Sequence, residues 1–446
     1  MRIALLSNVT IELLAGMLRK DHAVWLPPGF GAWMETALNP PPELVDFNPE
    51  AIYLLLDSHF SEVHGDVTSA CSALKARFPR AGVCAFDVTH FAEDFGADFY
   101  DEKMWKLGKM PWSLMALKEL KKVFSLKKVL ALDLDNTLWK GVAGEDGREG
   151  VEIKTDFLDE VHSLKNRGVL LSILSKNNFD DVKWFFEVDD PFVAKGINWE
   201  PKGENLSRQA KDLNLGSESF VFVDDNPAER AEMRALHPEV LVADFPPQLD
   251  VFFPRRELTA EDLTKTEQYQ AEAKRREFSV GLSVEEYLKG LEIWTEIHPA
   301  REDEIPRVAQ LSQKTNQFNV CTNRYEEDDV RRFAADASHL LLTLHAGDKF
   351  GEQGLVAFVL CRIGATAPTE AEVLDWVMSC RVMNRRIEFA VENALEKLLR
   401  ERGVVRLRAT WKKTLKNAPV KSLFEKFGFN LLQATEEIKQ YERVLD

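Results

Sequence analysis

A chain of 446 residues is too long for one typical core and predicts roughly three domains. Its 57 Lys and Arg against 73 Asp and Glu give a formal net charge of −16, which argues against a general nucleic-acid binder, since such proteins need an electropositive footprint. Five scattered cysteines without a CxxC pair indicate neither a zinc site nor a disulfide framework, and no apolar run approaches the roughly 18–20 residues of a membrane span, so a cytoplasmic, non-membrane protein is expected.

Residues 1–125 alternate short apolar runs with helical stretches: RIALLS, IELLAGMLRK, AIYLLLD, SACSALKARF and AGVCAFD. That rhythm predicts a parallel α/β layer, with MRIALLS as its first strand because no cleavage region follows it. A second α/β unit, 126–250, starts at VLALDLD and continues through FLDEVHSLKNRG, VLLSILSKN, ENLSRQAKDLNLG and SFVFVDDNP. Its strands end in polar residues, where open α/β sheets build their sites. Residues 251–290 are charged and helix-favouring, with few apolar anchors, and predict a helical connecting arm. Residues 291–446 predict an α+β domain: a helix over IPRVAQLSQKTNQF, strands over HLLLTLHA, GLVAFVLCRI and AEVLDWVMSC, a long helix over RIEFAVENALEKLLRERG, and a further strand over VVRLRATW. There is no internal repeat and no low-complexity segment.

In VLALDLDNTLW a buried strand runs into two aspartates, Asp133 and Asp135, which would repel unless a positive charge lay between them. Such a pair suits a metal site, a phosphoryl acceptor or a polar strand cap. Ser175 follows a second strand, Lys202 precedes a helix, and Asp224 and Asp225 follow another strand. In the order Asp, Ser, Lys, Asp-Asp, with Thr137 completing Asp-x-Asp-x-Thr, residues 126–245 resemble the haloacid dehalogenase superfamily of phosphoryl-transfer enzymes, built on a Rossmann-like sheet. The resemblance implies Asp133 as nucleophile and Asp135 as the acid that protonates the leaving oxygen and then activates water. It further implies Mg²⁺ between Asp133, the Asp135 backbone carbonyl and Asp224, with Ser175, Lys202 and Thr137 around the phosphoryl oxygens. The resemblance also implies that Asp225 and Asn226 orient metal-bound water, unless one of them caps the following helix.

The longer stretches LDLDNTLWKGVAGEDG, SKNN, NWEPKGENL, FVFVDDNPAER and LSQKTNQFN resemble the FkbH-like family, which supplies glyceryl units from 1,3-bisphosphoglycerate to an acyl carrier protein. That resemblance implies a phosphatase-type domain fused to an acyltransferase-type domain, with the glyceryl group passing through a cysteine thioester. The C-terminal region is similar to the GCN5-related N-acetyltransferase fold, in which a pantetheine arm inserts beside the strand preceding a long helix. Cys380 falls between that strand and that helix, so the helix N-terminus and Arg381, Arg385 and Arg386 are expected to lower its pKa. The remaining thiols, Cys71, Cys84, Cys321 and Cys361, are expected to be ordinary. RVMNRR stands where a glycine-rich pyrophosphate loop is usual, which argues against free acetyl-CoA. The base for Cys380 is open among His345, His339 and Glu352. Thr315, Asn316, Gln317 and Asn319 are either a polar wall for acyl hydroxyls or the capping residues of a helix end.

Between Arg381 and Lys421 twelve basic residues face four glutamates, a rim suited to steering an acidic carrier towards Cys380. In the first domain, LSNVT with Ser7 and THFAEDF with His90 resemble SGNH hydrolases only faintly, and a non-catalytic scaffold is expected there. The expected activity is a Mg²⁺-dependent phosphatase coupled to glyceryl transfer from a small phosphorylated acyl donor, through Cys380, to an acyl carrier protein acting in trans. Two alternatives stand beside it: a phosphatase of a small metabolite with a binding-only C-terminal domain, and a non-enzymatic assembly scaffold.

Overall fold

Strand β1 (Arg2–Ser7) is buried at five successive positions, as a parallel strand covered on both faces must be. With β2 (Ala23–Trp25), β3 (Ala51–Leu56) and β4 (Gly82–Asp87) it forms a four-stranded parallel sheet in the order β2-β1-β3-β4. The computed structural model describes residues 1–60, 62–187, 190–255, 258, 263–364 and 367–445. Residues 1–273 form one compact unit and 274–446 a second.

The second sheet of the first unit contains β5 (Val129–Leu132), β8 (Leu170–Ser175), β9 (Phe192–Ile197), β10 (Phe220–Val223) and β11 (Leu241–Val242), all parallel, in the order β11-β10-β5-β8-β9. A short hairpin, β6 (Trp139–Lys140) with β7 (Glu152–Ile153), follows the aspartate strand. Central β5 has β10 on one side and β8 on the other. The chain ends carrying Asp133, Asp224 and Ser175 therefore emerge side by side, about 4.8 Å apart from strand to strand. Although a boundary was expected at residue 125, one apolar core runs from Leu5 and Phe86 to Leu130, Leu132 and Val223 and joins the two layers.

Of the expected arm, residues 256–257 and 259–262 lie outside the described residues. Its start is not poor in anchors: Val251, Phe252 and Phe253 are buried in that same core. Three consecutive apolar residues are diluted by the charged stretch that follows them, so average composition hides them. Helices Lys265–Ser279 and Val284–Gly290 follow. Among the described residues no helix is long and apolar enough to cross a membrane.

The second unit is a seven-stranded sheet in the order β12-β13-β14-β15-β16-β18-β17. Its strands are β12 (Trp294–Pro299), β13 (His339–Asp348), β14 (Gly351–Ile363), β15 (Glu370–Met378), β16 (Arg406–Lys412), β17 (Asn430–Ala434) and β18 (Ile438–Val444). Every pair is antiparallel except β15 and β16, which the helix Glu388–Glu401 connects. Strands β12 and β17 have no predicting signal because almost all their residues stay at least partly exposed and carry no apolar alternation.

The β15–β16 ladder stops at Val373 and Ala409 although both strands continue. Into the wedge between them runs the segment 318–323. Met378 donates its N–H to the Phe318 carbonyl (3.0 Å) and Val320 donates to Trp376 (3.2 Å). On the other side Lys412 donates to Val320 (2.8 Å), and the buried Asn417 amide donates to the Asn319 carbonyl (3.0 Å) and the Lys412 carbonyl (2.8 Å). Each diverging strand thus recovers backbone partners that it would otherwise lack.

Candidate functional site

Asp133 follows β5 directly and is buried, and Lys202 is the first residue of the helix Lys202–Leu213. The Lys202 Nζ donates to Asp133 Oδ1 at 2.9 Å and to Asp224 Oδ2 at 2.5 Å. The positive charge that the aspartate strand requires is thus already present as an ammonium. Burial pushes the Asp133 carboxyl up to about 6, against the downward pull of Lys202. Burial raises Asp224 as well, with Lys202 again opposing it, while burial and then the Asp133 charge raise Asp225. Burial disfavours the Lys202 ammonium, but the two carboxylates outweigh that and hold its pKa above the ordinary lysine range.

Asp133, Asp224 and Asp225 offer carboxylate oxygens that all lie within 4.8 Å of one another. An all-oxygen anionic set at the edge of a sheet fits Mg²⁺, a hard cation. The Asp135 side chain is not part of that cluster. Its Oδ1 accepts from Trp139 Nε1 (2.9 Å) and the Ala143 N–H (2.9 Å), and its Oδ2 accepts from Asn177 Nδ2 (2.7 Å). Three donors fix this half-buried carboxylate in one orientation. Ser175 is buried at the end of β8, and its hydroxyl is one of the groups that pull the Asp133 carboxyl down against burial. Thr137 Oγ1 accepts from the Asp225 N–H (3.2 Å) and lies 3.4 Å from Asp225 Oδ1, tying the turn after β5 to the turn after β10.

Asn226 is the residue that caps the following helix: its Oδ1 accepts from the Ala228 N–H at 2.9 Å, and its own N–H donates to Asp224 Oδ1 at 3.0 Å. Two contributors lacked an assigned role. Asn177 lies two residues after Ser175, and SKNN was its only sequence signal. Arg230 donates from Nη1 to the carbonyls of both Asp224 and Asp225 (2.8 Å each), and its Nε and Nη2 grip Asp94 at 2.6 and 2.5 Å. A buried bidentate pair of this kind fixes the aspartate turn from behind. It was illegible because Asp94 lies 136 residues away in sequence.

Ser7, by contrast, is buried, and its hydroxyl donates to the Leu55 carbonyl at 2.6 Å. His90 sits 3.4 Å from Asp244 and 3.5 Å from Glu93.

In the second unit Cys380 is exposed. Burial pushes the other four thiols up, those of Cys84 and Cys321 to about 12. The expected helix N-terminus does not adjoin Cys380. Cys380 itself opens one turn of 3-10 helix, Cys380–Val382, and the long helix begins only at Glu388. Asn384 and Arg386, at φ 65° and 60°, break the path between them. Nor is Arg385 a free charge: it is buried, with Nη1 3.2 Å from Asp348 Oδ2, and Asp348 also takes Nε and Nη2 of Arg275 at 2.7 and 2.9 Å. Arg381 is half-buried, with its Nε 3.4 Å from Ser379 Oγ, and Arg386 is exposed.

Strand register separates the candidate bases. His339 pairs with Arg362, which pairs with Glu372, six residues before Met378 and so roughly 20 Å from the Cys380 end of β15. His345 pairs with Leu355, next to the Val356 carbonyl that accepts from the Ser379 N–H, and thus belongs to the Cys380 end. Its Nε2, however, is bound to Glu304 Oε1 at 2.6 Å. Glu352 is exposed opposite Gly347 near the β13–β14 turn.

The KTNQFN residues divide. Thr315 and Asn319 are buried; Asn319 Oδ1 accepts from the Thr322 N–H (2.6 Å), and its Nδ2 donates to the Thr315 carbonyl (3.3 Å). Asn316 Oδ1 accepts from Arg324 (2.5 Å), and Gln317 is exposed. The segment 318–323, which begins within KTNQFN, lies along the β15 edge where a pantetheine arm was expected. The basic surplus is also smaller than its count, because acidic residues outside the window offset it: Lys413 pairs with Glu436 and Glu437, and Arg408 with Glu370 and Glu442.

No family model matches the chain, and no curated protein matches it. Among solved structures it is similar to the N-terminal part of a Bacteroides fragilis protein containing a phosphatase domain, complexed with Mg, at 23% identity over 56% of this chain and 92% of that one, with a TM-score of 0.32. It is also similar to the ribosomal-protein-S18-alanine N-acetyltransferase of Escherichia coli, at 16% identity over 34% and 95% of the two chains and a TM-score of 0.28. A third is the PaiA N-acetyltransferase of Thermoplasma acidophilum in complex with coenzyme A, at 17% identity over 34% and 99%, with a TM-score of 0.25.

Proposed function

We propose that the chain transfers a phosphoryl group at Asp133 and an acyl group at Cys380. Its donor is a small acyl phosphate such as 1,3-bisphosphoglycerate, and its acceptor is an acyl carrier protein in trans. The observation that carries the first half is the Lys202 ammonium bridging Asp133 and Asp224 at the carboxyl edge of a parallel sheet. Asp133 attacks phosphorus through a carboxylate oxygen while Asp135, oriented by Trp139, Ala143 and Asn177, gives its proton to the leaving oxygen. Asp135 then takes a proton from the water that cleaves the aspartyl phosphate. Lys202 balances the charge spread over the phosphoryl oxygens, and the Ser175 hydroxyl donates a hydrogen bond to them. Asp133, Asp224 and Asp225 are the side chains that would hold Mg²⁺, which when bound supplies further neutralisation of those oxygens.

The second half is supported by Cys380 being exposed while the other four thiols are raised by burial. The Cys380 thiol gives its proton to solvent, its sulfur forms a bond to the acyl carbon, the carbon–oxygen bond breaks, and the phosphate of the acyl phosphate leaves with the electron pair, so that Asp133 acts on the donor's other phosphate. The carrier thiol then displaces Cys380. A phosphatase whose second unit only binds is favoured by one observation: the segment 318–323 occupies the β15 edge.

Intact-mass measurement after incubation with candidate acyl phosphates separates the two. The coupled reading expects an adduct on the parent chain that disappears in Cys380→Ala. Phosphate release with no adduct from any donor leaves the phosphatase reading.

A further inference from the structure

A second cluster of charged and imidazole groups lies in the other unit, where no cofactor was expected. In the antiparallel β12–β13 ladder His298 pairs with Thr343, and Glu296 pairs with His345. Thr343 and His345 are two residues apart on one strand, so the two histidines share a face of the sheet. Glu304, just before the helix Ile305–Lys314, is buried against that face. Its Oε1 is 2.6 Å from His345 Nε2 and 3.5 Å from His298 Nε2. Its Oε2 accepts from Thr343 Oγ1 at 3.0 Å and from the Arg301 N–H at 2.8 Å. The imidazole rings lie nearly parallel, 26° apart, with centroids separated by 5.6 Å.

His298 Nδ1 is 3.0 Å from the Pro299 carbonyl oxygen, which can only accept, so Nδ1 carries a proton. In the neutral ring Nε2 then presents a lone pair. That nitrogen is buried without a hydrogen-bond partner, and it faces two carboxylate oxygens, Glu304 Oε1 at 3.5 Å and Glu296 Oε1 at 3.6 Å. A lone pair facing carboxylate oxygens is repelled by them, and either a proton on Nε2 or a bound cation relieves that repulsion.

We propose that His298 Nε2, His345 Nε2 and Glu304 Oε1 bind a late first-row divalent cation such as Zn²⁺, with water or Glu296 completing the coordination. The three atoms lie within 4.8 Å of one another, so small side-chain movements bring each to the roughly 2.0–2.2 Å of a zinc bond. Imidazole donors select such a metal over Mg²⁺, which prefers oxygen and suits the acidic site of the first unit. The Pro299 carbonyl, Thr343 and the Arg301 N–H hold the ligands in place from behind. The His345 side chain is 24% exposed, which leaves an approach for water. A metal here removes His345 from the candidate bases for Cys380.

The test is equilibrium dialysis of the full chain against Zn²⁺ with metal analysis, in excess Mg²⁺ to fill the acidic site and in a Cys380→Ser background to remove the exposed thiol. One tightly bound equivalent is expected. His298→Gln and His345→Gln should each weaken it by at least about 10²-fold, the upper end of the loss seen when only a ligand's supporting partner is removed. Because either variant could unfold, imidazole ¹⁵N spectra of the unsubstituted protein provide an independent reading: Zn²⁺ should shift the Nε2 resonances of two of the nine histidines. Zinc uptake that is absent, or that both folded histidine variants retain at the level of the parent chain, overturns the proposal. So do imidazole spectra that zinc leaves unchanged.

Discussion

Lys202→Met removes the ammonium between Asp133 and Asp224 while keeping most of the side-chain volume. Lys202 and Asp224 side chains are only 6% and 1% exposed, so water cannot replace the lost charge. Each contact between opposite charges at about 4 Å is worth about 4 kcal/mol at an effective dielectric constant of about 20. Desolvation offsets part of this, and breaking a buried pair from one side costs about 3–5 kcal/mol net. For a unit of this size that lowers Tm by roughly 6–20 °C, at about 2–4 °C per kcal/mol.

The pH dependence has a definite sign. Asp133 is already raised to about 6 by burial, despite Lys202. Without Lys202 it rises further. A carboxyl whose folded pKa exceeds its unfolded value binds more protons folded than unfolded between the two, so it weakens folding as pH rises through that window. The deficit of Lys202→Met should therefore be greatest near about pH 8 and shrink towards about pH 5. Mg²⁺ should recover part of it by supplying positive charge at the same place. Thermal unfolding across that pH range, with and without Mg²⁺, is the measurement, and phosphate release should fall by more than about 10²-fold. A Tm within about 2 °C of the parent at about pH 8, with no dependence on pH, would refute the bridging role of Lys202.

Three further outcomes are expected. Asn177→Ala, which frees Asp135 Oδ2, should lower kcat for phosphate release by roughly 10–10²-fold with little change in KM; an unchanged kcat would show that Trp139 and Ala143 suffice to orient Asp135. Cys380→Ala should abolish any acyl adduct yet retain phosphate release, and an adduct found by mass spectrometry on that variant would implicate another nucleophile. Asn417→Ala leaves the buried carbonyl of Asn319 and the part-buried carbonyl of Lys412 without their amide donor, at a cost of about 1–3 kcal/mol in denaturant unfolding, and should speed amide exchange at Val320. Exchange at Val320 as slow as in the parent would mean that Asn417 does not hold the 318–323 segment in the wedge.

The parallel strands were legible because strands covered on both faces are continuous apolar runs, and β1, β3, β5, β8 and β10 all have that form. Asp133, Asp135, Ser175, Lys202 and Asp224 could be picked out because each stands at the end of such a run or the start of a helix, a position that local pattern reveals. The residue types also carried chemical meaning, since clustered carboxylates require a cation. Local pattern does not specify strand order. The sequence β10-β5-β8 made these edges adjacent, and only the folded chain set Lys202 between two aspartates and Asn177 and Arg230 behind them. In the second unit the same limit was more severe. The wedge between β15 and β16, the 318–323 segment within it, and the meeting of His298, Glu304 and His345 all depend on pairing between distant residues. Hydrophobic periodicity records whether a side chain is buried, whereas tertiary packing decides which other side chain it is buried against.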